Sequence, residues 1–500
     1  MAGEPLPDGN YPARLPLLAA AAACVLSAVL FFLGTGLHPI WWMTWLAPLP
    51  PLVVAPRVSG RRAFLIGAVA WFVGASNLWR YLGIVVQVPM LLVVIASALP
   101  ACVFGAAILL HRRYLHRRRP WSATFVVPAL WVTFEYAYAA VSPHGTFGAL
   151  AYSQMDWLPI VQVASVAGPW GIDACLLSFP AAIATWINAR DRRRATSQAV
   201  VVAVVLAVAL VWGWRRTIES PARDGHAVRV ALIASDLPAN RFPATDELSL
   251  ALIRQYTDQI GRLASRLKDD APAGTDTAIV LPEKIGILSD RAVPEMDAML
   301  QRTATESDAT VVAGIDRGSA TVRRNEARVY APGAASVMVY DKHHLIPGLE
   351  AVDEAGTSRL IVSRSSGDWG VEICKDMDFP ALAREYARDG IALLLVPAWD
   401  FDVDGWLHGR MAILRGVEGG FAIARAAKQG RLSVTDARGR VVAEAASDVA
   451  PFATLVTTVH AAHEATIYAR FGNWFAWLSL IVLAGIAVRD VVMRPRRRAS

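Results

Sequence analysis

A membrane α-helical bundle joined to an exported α/β layer domain is the fold class that this 500-residue chain predicts. Three observations lead there: apolar runs long enough to span a bilayer, arginine clusters after every second run, and a stretch where short β-branched segments alternate with amphipathic ones. Apolar residues make up 55% of the chain, high for a soluble protein, and mean hydropathy is +0.38.

A helical span needs about 20 mostly apolar residues, because each adds ~1.5 Å across a hydrocarbon core ~30 Å thick. About eight stretches qualify: 15–36, 38–55, 63–79, 86–110, 121–141, 158–186, 197–214 and 473–492. The first is longer than a signal-peptide core, and Glu4 and Asp8 are wrong for the basic flank of one. Arg57, Arg61 and Arg62 follow the second stretch, and Arg112, Arg113, Arg117, Arg118 and Arg119 the fourth. Arg190, Arg192, Arg193 and Arg194 follow the sixth, and Arg489, Arg494, Arg496, Arg497 and Arg498 the eighth. The other loops hold little beyond Arg80, Arg215 and Arg216. Short loops rich in Arg stay cytoplasmic, so both termini are expected inside and the long segment between the last two stretches outside. The expected division is 1–215, a seven-span domain; 216–470, an exported domain; and 471–500, a last span with a basic tail. The clusters hold about a third of the 49 Lys and Arg; without them the chain is slightly acidic. The sequence pI near 9.4 therefore reports topology and contact with anionic lipid rather than nucleic-acid binding.

Between Ala227 and His460 the pattern changes. Strands are expected at Val228–Ala234, Ala278–Leu281, Thr310–Ala313, Ser336–Tyr340, Trp369–Ile373, Ala392–Val396, Phe421–Ala424 and Leu432–Thr435. Helices are expected at Asp246–Leu267, Val293–Glu306, Pro380–Asp389 and Trp406–Glu418, from apolar spacing of three and four.

Three reactive side chains then fall just past strand ends, where sites gather in layered α/β domains. Glu283 follows Ile279-Val280-Leu281-Pro282, Lys342 follows Val337-Met338-Val339-Tyr340, and Cys374 follows Trp369–Ile373. Cys24, Cys102 and Cys175 lie in spans, so Cys374 has no disulfide partner in the exported domain. Taken singly, Cys374 reads as a small buried thiol, Glu283 as a helix cap and Lys342 as a solvated turn residue. Together they make a chemistry: a carboxylate takes the thiol proton, and a fixed ammonium stabilises the thiolate and then the oxyanion formed when sulfur attacks a carbonyl. No metal spacing is present, since Cys374 has no CxxC partner and His343-His344 lacks helical ligand spacing. No dinucleotide or phosphate-loop glycine pattern occurs either, so no cofactor is expected. Glu135 and Asp173, ionisable residues inside spans, read first as interhelical packing contacts.

These segments resemble apolipoprotein N-acyltransferase, a membrane branch of the nitrilase superfamily. Leu281-Pro282-Glu283 is similar to the family's base segment, and Tyr340-Asp341-Lys342-His343-His344-Leu345-Ile346-Pro347-Gly348-Leu349-Glu350 to its lysine segment, with a second glutamate eight residues on. Ile373-Cys374-Lys375-Asp376 falls at the nucleophile segment, Pro397-Ala398-Trp399 at a tryptophan segment, and 410–425 at the helix and strand that follow. Gly168-Pro169-Trp170-Gly171 and 142–154 resemble the family's membrane portion. The chain departs from the pattern at Val396-Pro397, at Asp400-Phe401-Asp402, at Lys375 in place of an aromatic, and at Arg241-Phe242 in place of Lys-Trp.

The resemblance implies a nitrilase-like α-β-β-α sandwich with Glu283, Lys342 and Cys374 catalytic and Glu350 and Asp376 supporting. It implies acyl transfer from a phospholipid donor through a cysteine thioester to the N-terminal amine of a diacylglyceryl-cysteine lipoprotein, at the outer face of a bacterial inner membrane. Trp399, Phe401, Trp406 and Phe242 are candidates for lining the substrate groove. Two other functions fit the residues: a membrane-anchored carbon-nitrogen hydrolase with the same site, and a scaffold that keeps an inactive fold.

Overall fold

The computed structural model describes residues 15–219, 225–243, 245–269, 274–318 and 322–492. Glu4, Asp8, Arg494, Arg496, Arg497 and Arg498 lie outside the described residues.

The N-terminal part is built on α1 (Leu17–Gly34), α2 (Gly60–Gly74), α3 (Met90–His116), α4 (Pro120–Val141), α5 (Pro169–Asn188) and α6 (Arg192–Ile218). All but α2 are long and apolar enough to cross a membrane, which makes five such helices among the described residues. Hydropathy alone overcounts continuous helices. Stretch 38–55 breaks into Met43–Leu46 and Leu49–Val54, because Pro48, Pro50 and Pro51 each remove a backbone donor. Stretch 63–79 is a helix of 15 residues that ends at Gly74. Stretch 158–186 begins as two short helical turns and becomes continuous only at α5, after Gly168 turns the chain at φ +65° and Pro169 takes the first helical position.

The α/β part has strands β1 (His226–Ala234), β2 (Asp276–Val280), β3 (Ile287–Ser289), β4 (Thr310–Gly318), β5 (Arg323–Tyr330), β6 (Met338–Asp341), β7 (Ile361–Arg364), β8 (Gly367–Val371), β9 (Leu393–Trp399), β10 (Ala422–Lys428), β11 (Arg431–Thr435), β12 (Val441–Ala446) and β13 (Ala453–Ala461). They form two sheets, β13-β1-β2-β4-β5-β6 with β3 beside β4, and β12-β11-β10-β9-β8-β7. β1, β2 and β4 are mutually parallel, as are β8, β9 and β10.

Period-two alternation explains the layering. Val228, Val230 and Leu232 point into the core between the sheets with Leu393 and Leu395. Ala231 and Ile233 face outward, under α7 (Asp246–Asp269) and α8 (Val293–Ser307). Leu394 and Val396 face α9 (Pro380–Asp389) and α10 (Gly405–Gly419) on the other side. The result is an α-β-β-α sandwich. All eight expected strands and four expected helices are present with ends shifted by a few residues. The strands that patterning missed include β5, whose Arg323, Arg324, Asn325, Glu326 and Arg328 read as a loop. They sit in a strand because partners elsewhere meet them: Arg328 pairs with Asp297 of α8 at 2.7 Å, and Asn325 bonds Glu350 at 2.7 Å.

The two parts are fastened directly. Thr146 N donates to Asp378 O (2.9 Å), Arg216 pairs with Glu464 (2.9 Å), and Gln162 Nε2 donates to Arg438 O (2.9 Å). A last helix, α11 (Trp474–Val492), returns to the bundle through Ala476 against Val132 and Trp170. Its Asp490 pairs with Arg113 at 2.7 Å and also with Arg117.

A glycine sets the Glu283 loop. A Cβ on Gly314 of β4 would lie 2.5 Å from Glu283 Cα and 2.6 Å from Pro282 O, and backbone cannot yield as a side chain can. Gly314→Ala is expected to destabilise the domain by about 1–3 kcal/mol and, by displacing Glu283, to slow acylation of Cys374 by roughly 10²-fold. Thermal unfolding in detergent and single-turnover acylation measure the two effects; a variant with both unchanged would show that this contact does not position Glu283.

Candidate active site

Glu283, Lys342 and Cys374 come from three strand ends and meet between the sheets. Glu283 N donates to Ala398 O (3.2 Å), which ties the loop after β2 to β9 of the other sheet. Lys342 continues β6, and its backbone N donates to Asn325 O of β5 (2.9 Å). Its Nζ donates to Glu283 Oε1 (2.8 Å) and to Glu350 Oε2 (3.0 Å). All of these side chains are buried.

Buried charges require partners, and this cluster supplies them. Asn325 Nδ2 donates to Glu283 Oε1 (2.6 Å) and Glu350 Oε1 (2.7 Å). Lys284 pairs with Glu350 at 3.0 Å, and Ile346 N donates to Glu350 Oε2 at 2.8 Å. Burial works against Glu350 ionising, but Lys342 and Lys284 outweigh it and hold the carboxyl down at about 2. Burial likewise works against the Lys342 ammonium, yet Glu283 and Glu350 keep it protonated above the ordinary lysine range.

Cys374 opens a 3-10 turn, Cys374–Asp378, at φ +42°, a strained conformation for any residue with a Cβ. Asp376 holds that turn in place. Its Oδ2 accepts from Ile373 N (3.1 Å) and Tyr340 OH (2.7 Å), and its Oδ1 accepts from His344 N (2.8 Å). The nucleophile turn and the lysine loop are thereby one unit. The thiol donates to Trp399 O (3.4 Å). Burial pushes it well above its ordinary value, Glu283 pushes further, and Lys342 pulls back. The resting thiol is therefore neutral at pH 7, and a base beside it is required before it can attack.

The candidate groove residues divide. Trp399 and Phe242 touch edge to face with centroids 4.7 Å apart, and Phe242 is exposed. Phe401 is half-buried, its N held by Asp404 Oδ1 at 2.7 Å. Trp406 instead packs on the membrane bundle, 6.1 Å from His38, so it does not join Trp399. Lys375 is buried and engaged by Asp378 (3.5 Å) and His144 Nδ1 (3.2 Å). Glu135 of α4 and Asp173 of α5, read as a packing contact between helices, do meet side chain to side chain, and Glu135 also accepts from Leu150 N (3.0 Å).

Four neighbours escaped sequence reasoning. Asn325 lies in a strand whose charges hid it. Asp400 and Arg425 form a buried ion pair that faces the thiol, and only Gly430, whose Cβ would collide with the Asp400 carboxylate, leaves room for it. Lys428 Nζ donates to Arg241 O (3.0 Å) and Lys284 O (2.8 Å), and lies 3.8 Å over the Trp399 ring. Burial brings its amine down to about 7. No local spacing marks any of them.

Two family models match the two parts of the chain. The apolipoprotein N-acyltransferase N-terminal domain matches residues 27–182, and the carbon-nitrogen hydrolase domain matches residues 284–462. The chain belongs to the apolipoprotein N-acyltransferase family. It is an apolipoprotein N-acyltransferase-like enzyme of the nitrilase superfamily. Apolipoprotein N-acyltransferase of Geobacter metallireducens is 26% identical over 97% of each chain. That of Haemophilus ducreyi is 23% identical over 92% of this chain and 96% of its own. Among solved structures, Saccharomyces cerevisiae Nit3, a member of branch 10 of the nitrilase superfamily, aligns with a TM-score of 0.40 at 20% identity, over 56% of this chain and 100% of that one.

The field at the thiol is testable by its sign. Alkylation of Cys374 by iodoacetamide is expected to keep rising with pH above the ~8.5 of a free thiol. Removing the cation in Lys342→Met moves that rise to higher pH, and removing the anion in Glu283→Gln moves it to lower pH. Peptide mass spectrometry after timed alkylation reads each curve; a rise moved to lower pH in Lys342→Met or to higher pH in Glu283→Gln would mean the two groups do not act on the thiol as the geometry requires.

Proposed function

We propose that this chain transfers a fatty acyl group from a phospholipid, through a thioester on Cys374, to the N-terminal amine of a diacylglyceryl-cysteine lipoprotein. The observation that carries this reading is an apolar cavity in the helix bundle, lined by Phe31, Trp71, Trp131, Phe134, Phe147 and Leu407. Its wall includes Thr146, whose N and Oγ1 both bond to Asp378 O at the end of the nucleophile turn. A lipid chain needs such a cavity and a small amide does not.

In the first half-reaction Glu283 takes the thiol proton and sulfur attacks the ester carbonyl. Lys342 faces the oxyanion. The C–O bond then breaks, and Glu283 returns the proton to the lysophospholipid alkoxide. In the second, the lipoprotein amine attacks the thioester and gives its proton to Glu283. The C–S bond breaks and the proton passes to the departing sulfur. Glu350 and Asn325 hold Lys342 and Glu283, and Asp376 holds the turn. Trp399 and Phe242 are placed to guide the acyl chain or acceptor, and no cofactor enters the chemistry.

The same reading sets residues 1–215 and 471–500 in a bacterial inner membrane as about eight segments, with 216–470 on the outer face and both termini in the cytoplasm. The joining of Arg113 and Arg117 to Asp490 supports it, since the ends of α3 and α11 then share one side.

Purified enzyme incubated with phospholipid is expected to gain one acyl mass on Cys374 and to discharge it onto a diacylated lipopeptide with a free N-terminal amine. Cys374→Ala gains none, and Glu283→Gln acylates at least ~10²-fold more slowly. Turnover of small amides at Cys374 with no acyl adduct from any phospholipid would replace this reading with the hydrolase one.

A further inference from the structure

Cys374 has a second set of neighbours that the acyl-transfer chemistry does not use. Its Sγ, a carboxylate oxygen of Asp400 and a ring nitrogen of His408 all lie within 4.8 Å of one another. They come from the turn after β8, the end of β9 and the first turn of α10, so no sequence spacing announces them. His408 Nδ1 is 3.9 Å from Asp400 Oδ1, and Nε2 is 3.3 Å from Asp404 Oδ2. Asp404 is fixed in turn, because its Oδ2 accepts from Tyr81 OH at 2.6 Å and its Oδ1 from Phe401 N at 2.7 Å. Cys374, Asp400 and Asp404 are buried, while the His408 side chain is 14% exposed and leaves a path for a small ion.

We propose that Cys374, Asp400 and His408 form a site for a borderline-soft divalent metal ion, zinc first among them, and that its binding reversibly silences the nucleophile. Thiolate, imidazole and carboxylate are a zinc donor set. Bonds of ~2.0–2.3 Å in a tetrahedron put donor atoms roughly 3.3–3.8 Å apart, so atoms within 4.8 Å of one another need to close by at most about 1–1.5 Å. Asp404 behind His408 is the carboxylate that orients a metal-bound imidazole, and Tyr81 keeps it there. Asp400 is already paired with Arg425, but a carboxylate offers about four lone-pair positions, and the pair leaves some of them open. On binding, the S–H bond breaks as the metal–sulfur bond forms, and the proton leaves to Glu283 or to water. Glu283, Lys342 and Arg425 are the other charged groups at the thiol; the ion adds positive charge that favours the thiolate. A sulfur lone pair held by metal cannot attack an ester. That consequence rests on the acyl-transfer reading, whereas the coordination itself does not.

The test uses the full chain in detergent, stripped with a chelator and titrated with Co²⁺, whose charge-transfer absorption reports a thiolate ligand; Zn²⁺ then competes. One equivalent is expected, with Cys374 alkylation slowed at least tenfold and restored by chelator, while Cys24, Cys102 and Cys175 serve as internal controls. His408→Asn and His408→Gln are expected to weaken the metal at least tenfold with metal-free alkylation of Cys374 unchanged, and Asp404→Asn to weaken it by ~10- to 100-fold. Absence of the thiolate band, or equal protection in both His408 variants, overturns the site. Protection as described in an enzyme that no phospholipid acylates leaves the metal site standing and removes the acyl-transfer reading.

Discussion

Lys342 between Glu283 and Glu350 is the interaction on which the rest of the α/β domain is arranged. An ammonium with two carboxylates, all without water, is costly unless every remaining donor and acceptor is answered. The answers come from distant parts of the chain: Asn325 bonds both carboxylates, and Lys284 and Ile346 complete Glu350. With Lys284 counted, two cations meet Glu283 and Glu350, so this inner cluster is close to neutral. That balance lets an ammonium and its two carboxyl partners sit in the core between two sheets.

Cys374 is placed against this cluster by geometry rather than by its own acidity. The positive φ at Cys374 lifts the thiol off the end of β8, and Asp376 fastens the strained turn to the lysine loop through Tyr340 and His344. Strain of this kind persists only where the surroundings over-determine it. A second ion pair, Asp400 with Arg425, faces the same sulfur. The nucleophile therefore sits between two neutral pairs, and burial keeps it protonated until a base acts.

The membrane bundle is part of the site's scaffold. Thr146 holds the end of the nucleophile turn, Tyr81 reaches from the segment between α2 and α3 to Asp404 at the start of α10, and Arg216 with Arg438 clasps Glu464. The first two join the bundle to loops beside the thiol, and the third ties the end of α6 to the segment after β13. Fastening of this kind keeps the loops around the thiol in one position relative to the bundle, and a loosely tethered domain could not.

By itself the sequence marked the apolar helical bundle and the α/β domain, eight of its strands from short β-branched runs, and Glu283, Lys342 and Cys374 as three chemical side chains at strand ends. Those properties are local: hydropathy, alternation and strand ends are written in neighbouring residues. Only the tertiary structure decided how many apolar stretches are continuous helices, since three prolines outweigh hydropathy in 38–55. It also made β5 a strand and revealed Asn325, Arg425, Lys428 and His408 around the thiol. A charged residue looks solvated in sequence, and its burial depends on a partner that only folding brings within hydrogen-bond distance.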